Sequence, residues 1–458
     1  MWQSLWKAWM LVIRKHLALF LVITVSLFLR WWNYAYFPVG GETADEYAWT
    51  MLGASLIQEG APASWSYFSA YENYRYVEGI FDAPIVRPAL DHPPLFSLLP
   101  GAAHSIKSFW LDSPSLKVIR APLVILGAVN VGIFWLVCRQ IFTKKSWAIV
   151  GSILFMTIPS LVFGSRLVVA ENLLVTWILL ALLLIFNKSN RWTVPGLMVI
   201  CMAAILTKIA GLIIPVSLLA YGLLTGQPKL SKAAGVGGLL GVGLFAWYGA
   251  FYNWSLFWAI FLDQADRQLG LATLQNRLFL NPTIVRHLFF DGWQILGLFA
   301  SFWLLARPKK NEKLLFVHLL TIVSLLFVVL SAGESTFHGW YDYVLWPTLI
   351  ISLTVLVKHI WQTGNNLLLG LAWLFLLPGL RLSLLFIDNY AKLSNWSIRG
   401  LVLVGFLPLV GQLIGRPAWA KKMLWLIFLI LIISNVTTVL ALSHEVYWEQ
   451  AAFFELPP

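Results

Sequence analysis

The chain has 458 residues, of which 59% are hydrophobic and 11% charged, and its mean hydropathy is +0.78. A water-soluble fold of that composition would expose far more apolar surface than soluble proteins carry, which excludes a soluble enzyme. The net charge of +12 does not mark a nucleic-acid binder either, because the bases are distributed over short connections between apolar runs.

Several of those runs approach or exceed the ~20 residues that cross a bilayer as a helix. Hydrocarbon offers no water to open backbone groups, and no barrel-like alternation is present, so the reading is an all-α polytopic membrane protein. About thirteen spans are expected, centred near residues 25, 130, 155, 178, 199, 218, 243, 299, 322, 350, 376, 406 and 432. With a cytosolic N-terminus, 18 of the 32 bases fall on inner connections, whereas Glu312 is the one acid of 20 placed there. That bias is the positive-inside pattern. It makes 1–442 the membrane domain and puts the connections 35–118 and 253–292 outside, with a short outer tail at 443–458. The first run is flanked as a retained anchor rather than a cleaved signal. Cys138 and Cys201 fall in spans, so no disulfide framework is implied.

Residues 35–118 are too long for a simple connector. They open with "GETADEYAWTMLGASLIQEG" (41–60), which places Glu42, Asp45 and Glu46 together in a chain poor in acids. Ala44, Tyr47, Ala48, Met51, Leu52 and Leu56 recur at helical spacing, with Gly60 as a stop, so 44–59 is expected as an amphipathic helix on the membrane surface. Thr43 and Glu46 have the spacing of a capping box, which gives Glu46 a structural reason to be there. Asp45 lies in the first turn, where the helix dipole favours an anion without requiring one, and a chemical role is the better reading for it. Later comes "DHPPL" from Asp91, where Pro93 and Pro94 are expected to enter a second short helix. Asp91 is either a cap for that helix or, with His92, aimed at the membrane surface near Asp45.

In "GSRLVVAENLLVTW", Arg166 stands at the outer end of a span and Glu171 about one turn in. Ionisable groups at membrane depth are expensive and read as functional by default; mutual neutralisation is the alternative, at a spacing poor for a helical pair. Lys208 in "AAILTKIAGLIIP" sits in a turn between two apolar runs, where it suits an anionic phosphate or snorkels to the interface. Glu334, His338, Tyr341 and Asp342 in "GESTFHGWYDYVLWP" are candidates for lining a pocket. Asp263, Asp266, Arg267, Arg277 and Arg286 look like a solvated surface.

Carboxylates and bases thus gather at one face of a bundle. A transporter would place its charge near the midplane on broken helices related by a repeat, and no repeat is found. The ordered set of Asp45-Glu46, "DHPPL" from Asp91, Glu171, and "LTKIAGLIIP" around Lys208 resembles the GT-C membrane glycosyltransferases. The branch it resembles holds the protein O-mannosyltransferases and the lipid A aminoarabinose transferases. "YDYVLWPTLII" from Tyr341 resembles that family's aromatic entry to a late span, and the likeness covers roughly residues 1–350. It implies a GT-C type fold whose long first outer loop carries juxtamembrane helices. It also implies an inverting transferase that moves a sugar from a polyprenyl-phosphate donor to an acceptor hydroxyl on a protein, lipid or glycan at the outer face.

By that resemblance Asp45 is the general base, Asp91 and Glu171 position substrates, and Lys208 or Arg166 stabilises the departing lipid phosphate; Glu46 and His92 are further substrate-binding candidates and His338 and Tyr341 pocket-lining ones from their own positions. His92 stands where the aminoarabinose transferases typically have Lys, and the inserted β-domain of the eukaryotic mannosyltransferases is missing. Metal use stays open, since first-loop acids suit a divalent cation or work without one. A prokaryotic cell membrane is the expected location. The other readings are a lipid-linked-glycan flippase or transporter, and an O-antigen-type polymerase or ligase.

Overall fold

Length and apolarity decide the architecture, which is a helical bundle closed at one end by the first loop. The computed structural model describes residues 2–40, 43, 45–77, 84–187, 191–265, 270, 274, 292–307, 312–331, 339–391 and 395–444. The helices in chain order are α1 (Trp2–Trp31), α2 (Asp45–Glu59), α3 (Leu98–Ser105), α4 (Leu116–Ile141), α5 (Lys145–Thr157), α6 (Pro159–Gly164), α7 (Glu171–Phe186), α8 (Thr193–Thr207) and α9 (Ile213–Leu224). There follow α10 (Pro228–Ala265), α11 (Trp293–Leu305), α12 (Glu312–Leu330), α13 (Trp346–Thr363), α14 (Asn366–Ala391), α15 (Asn395–Val404), α16 (Leu407–Leu413) and α17 (Pro417–Leu442). Among the described residues five helices are long and apolar enough to cross a membrane, and eight more apolar helices are 10–17 residues long. Each of the thirteen centres read from the sequence falls inside one of them. The protein is a multi-pass membrane protein.

α4 packs against α1, α5 and α7, and α8 packs against α7 and α10. A second group forms around α11, which packs on α13 and α14, while α14 packs on α17. One apolar core joins the two groups, running from Val131 and Phe134 of α4 through Leu182 of α7 to Trp346 and Leu353 of α13 and Leu431 of α17.

The first loop is a folded cap. Its strands β1 (Ser64–Trp65), β2 (Arg75–Val77) and β3 (Ile85–Val86) form a small antiparallel sheet of order β1-β3-β2, with Ser64 opposite Val86 and Trp65 opposite Ile85. α2 does form where its periodicity placed it. Trp49, Thr50, Met51, Leu52, Gly53, Ala54 and Ser55 are all buried, so it packs within the cap. It crosses α3 at a pair of glycines. A Cβ on Gly53 would lie 1.8 Å from the Ser97 carbonyl oxygen, and one on Gly101 would lie 2.4 Å from the Gly53 carbonyl carbon. Only hydrogen fits there. α3 begins at Leu98, four residues after the position expected from Pro94, because the Pro-Pro segment forms its own corner.

The connection expected at 253–292 begins later than the sequence implied. α10 continues to Ala265 across a bend at Asn253, whose φ of −170° and ψ of 100° are extended rather than helical. Asn253 makes the bend: its Oδ1 accepts the Leu256 N–H at 3.1 Å, as a helix cap does, and its Nδ2 donates to the Tyr74 hydroxyl at 2.9 Å. Asp263 is therefore helical, while Asp266, Arg267, Arg277 and Arg286 lie outside the described residues. Two tyrosines of α10 fasten it under the cap, Tyr252 to the Gly60 carbonyl (2.8 Å) and Tyr248 to that of Ala89 (3.4 Å).

Candidate active site

Where the cap meets the ends of α8, α10 and α12 the structure leaves a cavity of about 310 Å³. Asp91, His92, Lys208 and Tyr341 line it together, although they are far apart in sequence, and Phe245, Phe257 and Phe327 form an apolar wall. Each polar group is held from behind.

Asp91 is positioned by the cap. Its Oδ2 accepts the Ser66 hydroxyl at 2.9 Å, and its Oδ1 accepts the Tyr71 hydroxyl. That phenol oxygen in turn accepts the Leu90 N–H at 2.7 Å, and Gln264 of α10 donates to the Asp91 carbonyl at 3.0 Å. Burial first, and then the adjacent Asp91 carboxylate, push the Tyr71 phenol far above the usual phenolic range, so it remains a donor to Asp91. Asp91 is not the cap of α3. His92 stacks on Trp49 of α2, with ring centroids 4.5 Å apart and an interplanar angle of 19°, and Phe96 meets the same indole edge-on.

Lys208 is the extended residue that ends α8, with φ −163° and ψ 150°. The chain reverses there into a 3₁₀ turn over Ile209–Leu212, and a Cβ on Gly211 would lie 2.1 Å from the Ala204 carbonyl. Glycine is required for that close return. The same helix end pins the opposite side of the cavity, since the Leu206 carbonyl accepts the Leu95 N–H at 3.1 Å. The Lys208 ammonium donates to Glu171 Oε1 at 2.6 Å and lies 4.3 Å from the centroid of the Tyr341 ring. Glu171 is the first residue of α7, where the dipole favours its charge. It is buried behind Lys208 and does not itself line the cavity, and its Oε2 has no partner among the described residues.

The two acids at the start of α2 separate. Glu46 is fully buried, and its carboxylate forms a fork with Arg120 of α4, at 2.8 Å to Nε and 2.6 Å to an Nη. It also accepts the Val168 N–H at 3.0 Å. The capping box is therefore only half realised: the Thr43 hydroxyl accepts the Asp45 N–H at 3.1 Å, while Glu46 turns inward to Arg120. Glu46 joins α2 to α4, which leaves it no carboxylate face for a substrate. Asp45 is half-buried and is not among the residues that line the cavity.

Arg166 is likewise turned away from the cavity. Fully buried, it donates to the carbonyls of Leu29 (2.8 Å), Arg30 (3.1 Å) and Phe37 (2.9 Å) and to the Ser443 hydroxyl (2.8 Å). These bonds clasp α1 to the end of α17, and they answer the question its spacing from Glu171 raised: the partner of Glu171 is Lys208. His338 and Glu334 lie outside the described residues. Among the described residues no three His, Cys, Asp or Glu side chains come together as a metal-binding group.

Arg120, Ser66, Tyr71 and Gln264 are not among the residues expected from the sequence. Arg120 carried a signal, being an ionisable residue one turn inside an apolar run. The others carried none, because a tyrosine or serine in a folded loop has no local mark of the carboxylate it will meet.

The sequence profile of one family, described as Dolichyl-phosphate-mannose-protein mannosyltransferase, matches residues 91–248. That stretch begins at Asp91 and contains Glu171 and Lys208. The structure superposes on ArnT from Cupriavidus metallidurans bound to undecaprenyl phosphate with a TM-score of 0.57 and 13% identity, covering 93% of this chain and 77% of that one. The chain has the GT-C fold. The apo form of the same ArnT agrees, at a TM-score of 0.53 and 14% identity over 87% of this chain and 72% of that one. An Archaeoglobus fulgidus oligosaccharyltransferase tethered with an acceptor peptide gives a TM-score of 0.45 at 14% identity, with 90% and 55% covered. No curated protein matched in sequence. Both the profile and the ArnT structures fall in the GT-C branch that the motif order had indicated.

Proposed function

We propose that this GT-C protein is an inverting glycosyltransferase that moves a sugar from a polyprenyl-phosphate donor to an acceptor hydroxyl at the outer, non-cytosolic face of the membrane. The observation that carries the reading is the cavity itself, which sets a buried-pair lysine and a histidine beside a carboxylate under an apolar wall. The undecaprenyl phosphate bound to ArnT and the mannosyl-phosphate donor in the profile's name supply the donor class.

In this reading the isoprenoid chain lies along Phe245, Phe257 and Phe327, and the phosphate faces Lys208 and His92. The acceptor oxygen attacks the anomeric carbon opposite the phosphate. One C–O bond forms as the other breaks, the configuration inverts, and the electron pair leaves with the lipid phosphate. Lys208 is held in place by Glu171 before the reaction begins, so it meets the developing negative charge without reorganising; stabilisation of this type contributes several kcal/mol.

The acceptor proton needs a base. Both oxygens of Asp91 already accept hydroxyl donors, and Glu46 is forked to Arg120. Of the three first-loop acids in the motif set, Asp45 is the one assigned that role, and Asp91 positions substrate.

The test is a panel of radiolabelled polyprenyl-phosphate sugars offered to the purified protein in proteoliposomes, with product stereochemistry read by NMR. The reading requires donor consumption with inversion. Transbilayer movement of the intact donor without consumption would replace it with a flippase.

A further inference from the structure

A second cavity lies at the opposite end of the bundle. α13 runs from the catalytic cavity, near Tyr341, to Lys358 at the far end, and the N-termini of α5, α10 and α17 and the joint between α13 and α14 share that end. Between the core helices α5, α11 and α13 and the later helices α14 and α17 is a slot of about 100 Å³. Every residue lining it is apolar, and Trp147, Trp361, Trp373 and Trp425 dominate its walls. The indole N–H of Trp373 is buried there with no partner among the described residues. Trp425, 43% exposed, makes the slot's outer wall, stacking on Trp147 and tilting against Trp361.

Cations ring the mouth. Lys144 and Lys145 just precede Trp147, Lys421 and Lys422 lie one turn before Trp425, and all four are exposed. Among the described residues none of the four has a carboxylate partner. Lys358, one turn from Trp361, packs over the Phe142 ring at 5.8 Å. An apolar slot beside lysines that have no carboxylate partner among the described residues is complementary to a lipid with a negative headgroup, and basic pockets between spanning helices recognise such headgroups.

We propose that this slot is a binding site for an anionic phospholipid. One acyl chain occupies the space between Trp147, Trp373 and Trp425, and the phosphate rests on Lys144, Lys145, Lys421 and Lys422. The lipid fastens the later helices to the core at the end remote from the reaction. This inference stands independently of the proposed function.

The full-length protein, delipidated in zwitterionic detergent, is titrated with phosphatidylglycerol or phosphatidylcholine, and retained lipid is counted by native mass spectrometry. Phosphatidylglycerol should be retained in preference. Retention should fall roughly fivefold for each lysine removed in Lys421→Gln/Lys422→Gln. It should hold in Lys229→Gln/Lys232→Gln, which removes the same charge from the start of α10 at the same end. Ala372→Phe, filling the slot with charge intact, should also lower it. Equal retention of the two lipids, or equal loss from the two lysine pairs, overturns the proposal. So does full retention by an Ala372→Phe protein of unchanged helicity; if that variant does not fold, the lysine comparison decides alone.

Discussion

Asp45 and Glu46 are neighbours in the chain that end in different environments, and the difference comes from Arg120. A buried carboxylate is tolerated when a guanidinium satisfies it with a fork of hydrogen bonds, and Glu46 has that partner with both side chains fully buried. Lys208 and Glu171 make the second such pair, only slightly exposed. Removing one member of a buried pair leaves the other charge uncompensated, at a cost of about 3–5 kcal/mol. Lys208→Met should therefore lower the stability of the purified protein by that order in chemical denaturation. Lys208→Met/Glu171→Leu should recover most of the loss, because an apolar pair can replace a buried ion pair. Neither variant should turn over donor. A double variant that regained both stability and turnover would show that Lys208 is a structural ion only.

At the scale of elements, the cap is what places Asp91 and His92. The crossing of α2 on α3 at Gly53 and Gly101 leaves no room for a methyl group, since overpacking displaces backbone. Gly101→Ala should cost about 1–3 kcal/mol and lower turnover by shifting Ser97 and the "DHPPL" corner beside it, measurable as a paired loss in thermal unfolding and kcat. The cap should also report pH through Tyr71. Its phenol titrates higher in the folded protein than the ordinary value of about 10. Above that pH the unfolded chain loses a proton that the folded protein keeps, so this contribution to stability is complete below about pH 10 and falls as pH rises further. Melting curves between pH 8 and 11 should steepen downward above 10 in the wild type, and Tyr71→Phe should flatten that fall. An unchanged slope in the variant would assign the alkaline loss to other groups.

The same elements show what was legible in the sequence. α2 could be read because its apolar positions recur at helical spacing. Its docking could not, because Thr43 and Glu46 satisfy a local capping rule that a tertiary partner, Arg120, overrides from 74 positions away. The part of α10 beyond Asn253 was hidden by that residue: one polar residue that bends a helix is indistinguishable in sequence from one that ends it. The cap's strands are two or three residues long, below what alternation can reveal. Lys208 and Asp91 were recognised as chemically unusual, while Ser66 and Tyr71, which hold Asp91, were not, because hydroxyl donors carry no mark until the fold brings the carboxylate to them.

For the whole molecule, the bundle was legible because crossing a bilayer imposes a length and an apolarity on each helix. The GT-C fold was legible because motif order fixed which helix ends share a face. The two ends of that bundle then differ: one carries acids and a cavity beneath a folded cap, the other a ring of lysines. In the proposed mechanism Asp45 is the base at the first of these ends. The most direct measurement compares sugar transfer from a polyprenyl-phosphate donor by the wild-type protein and by Asp45→Asn, with donor binding followed in parallel. Loss of a general base should cut turnover by roughly 10²–10⁴-fold with donor binding kept. Turnover within a few-fold of wild type would contradict the account and remove Asp45 from the chemistry.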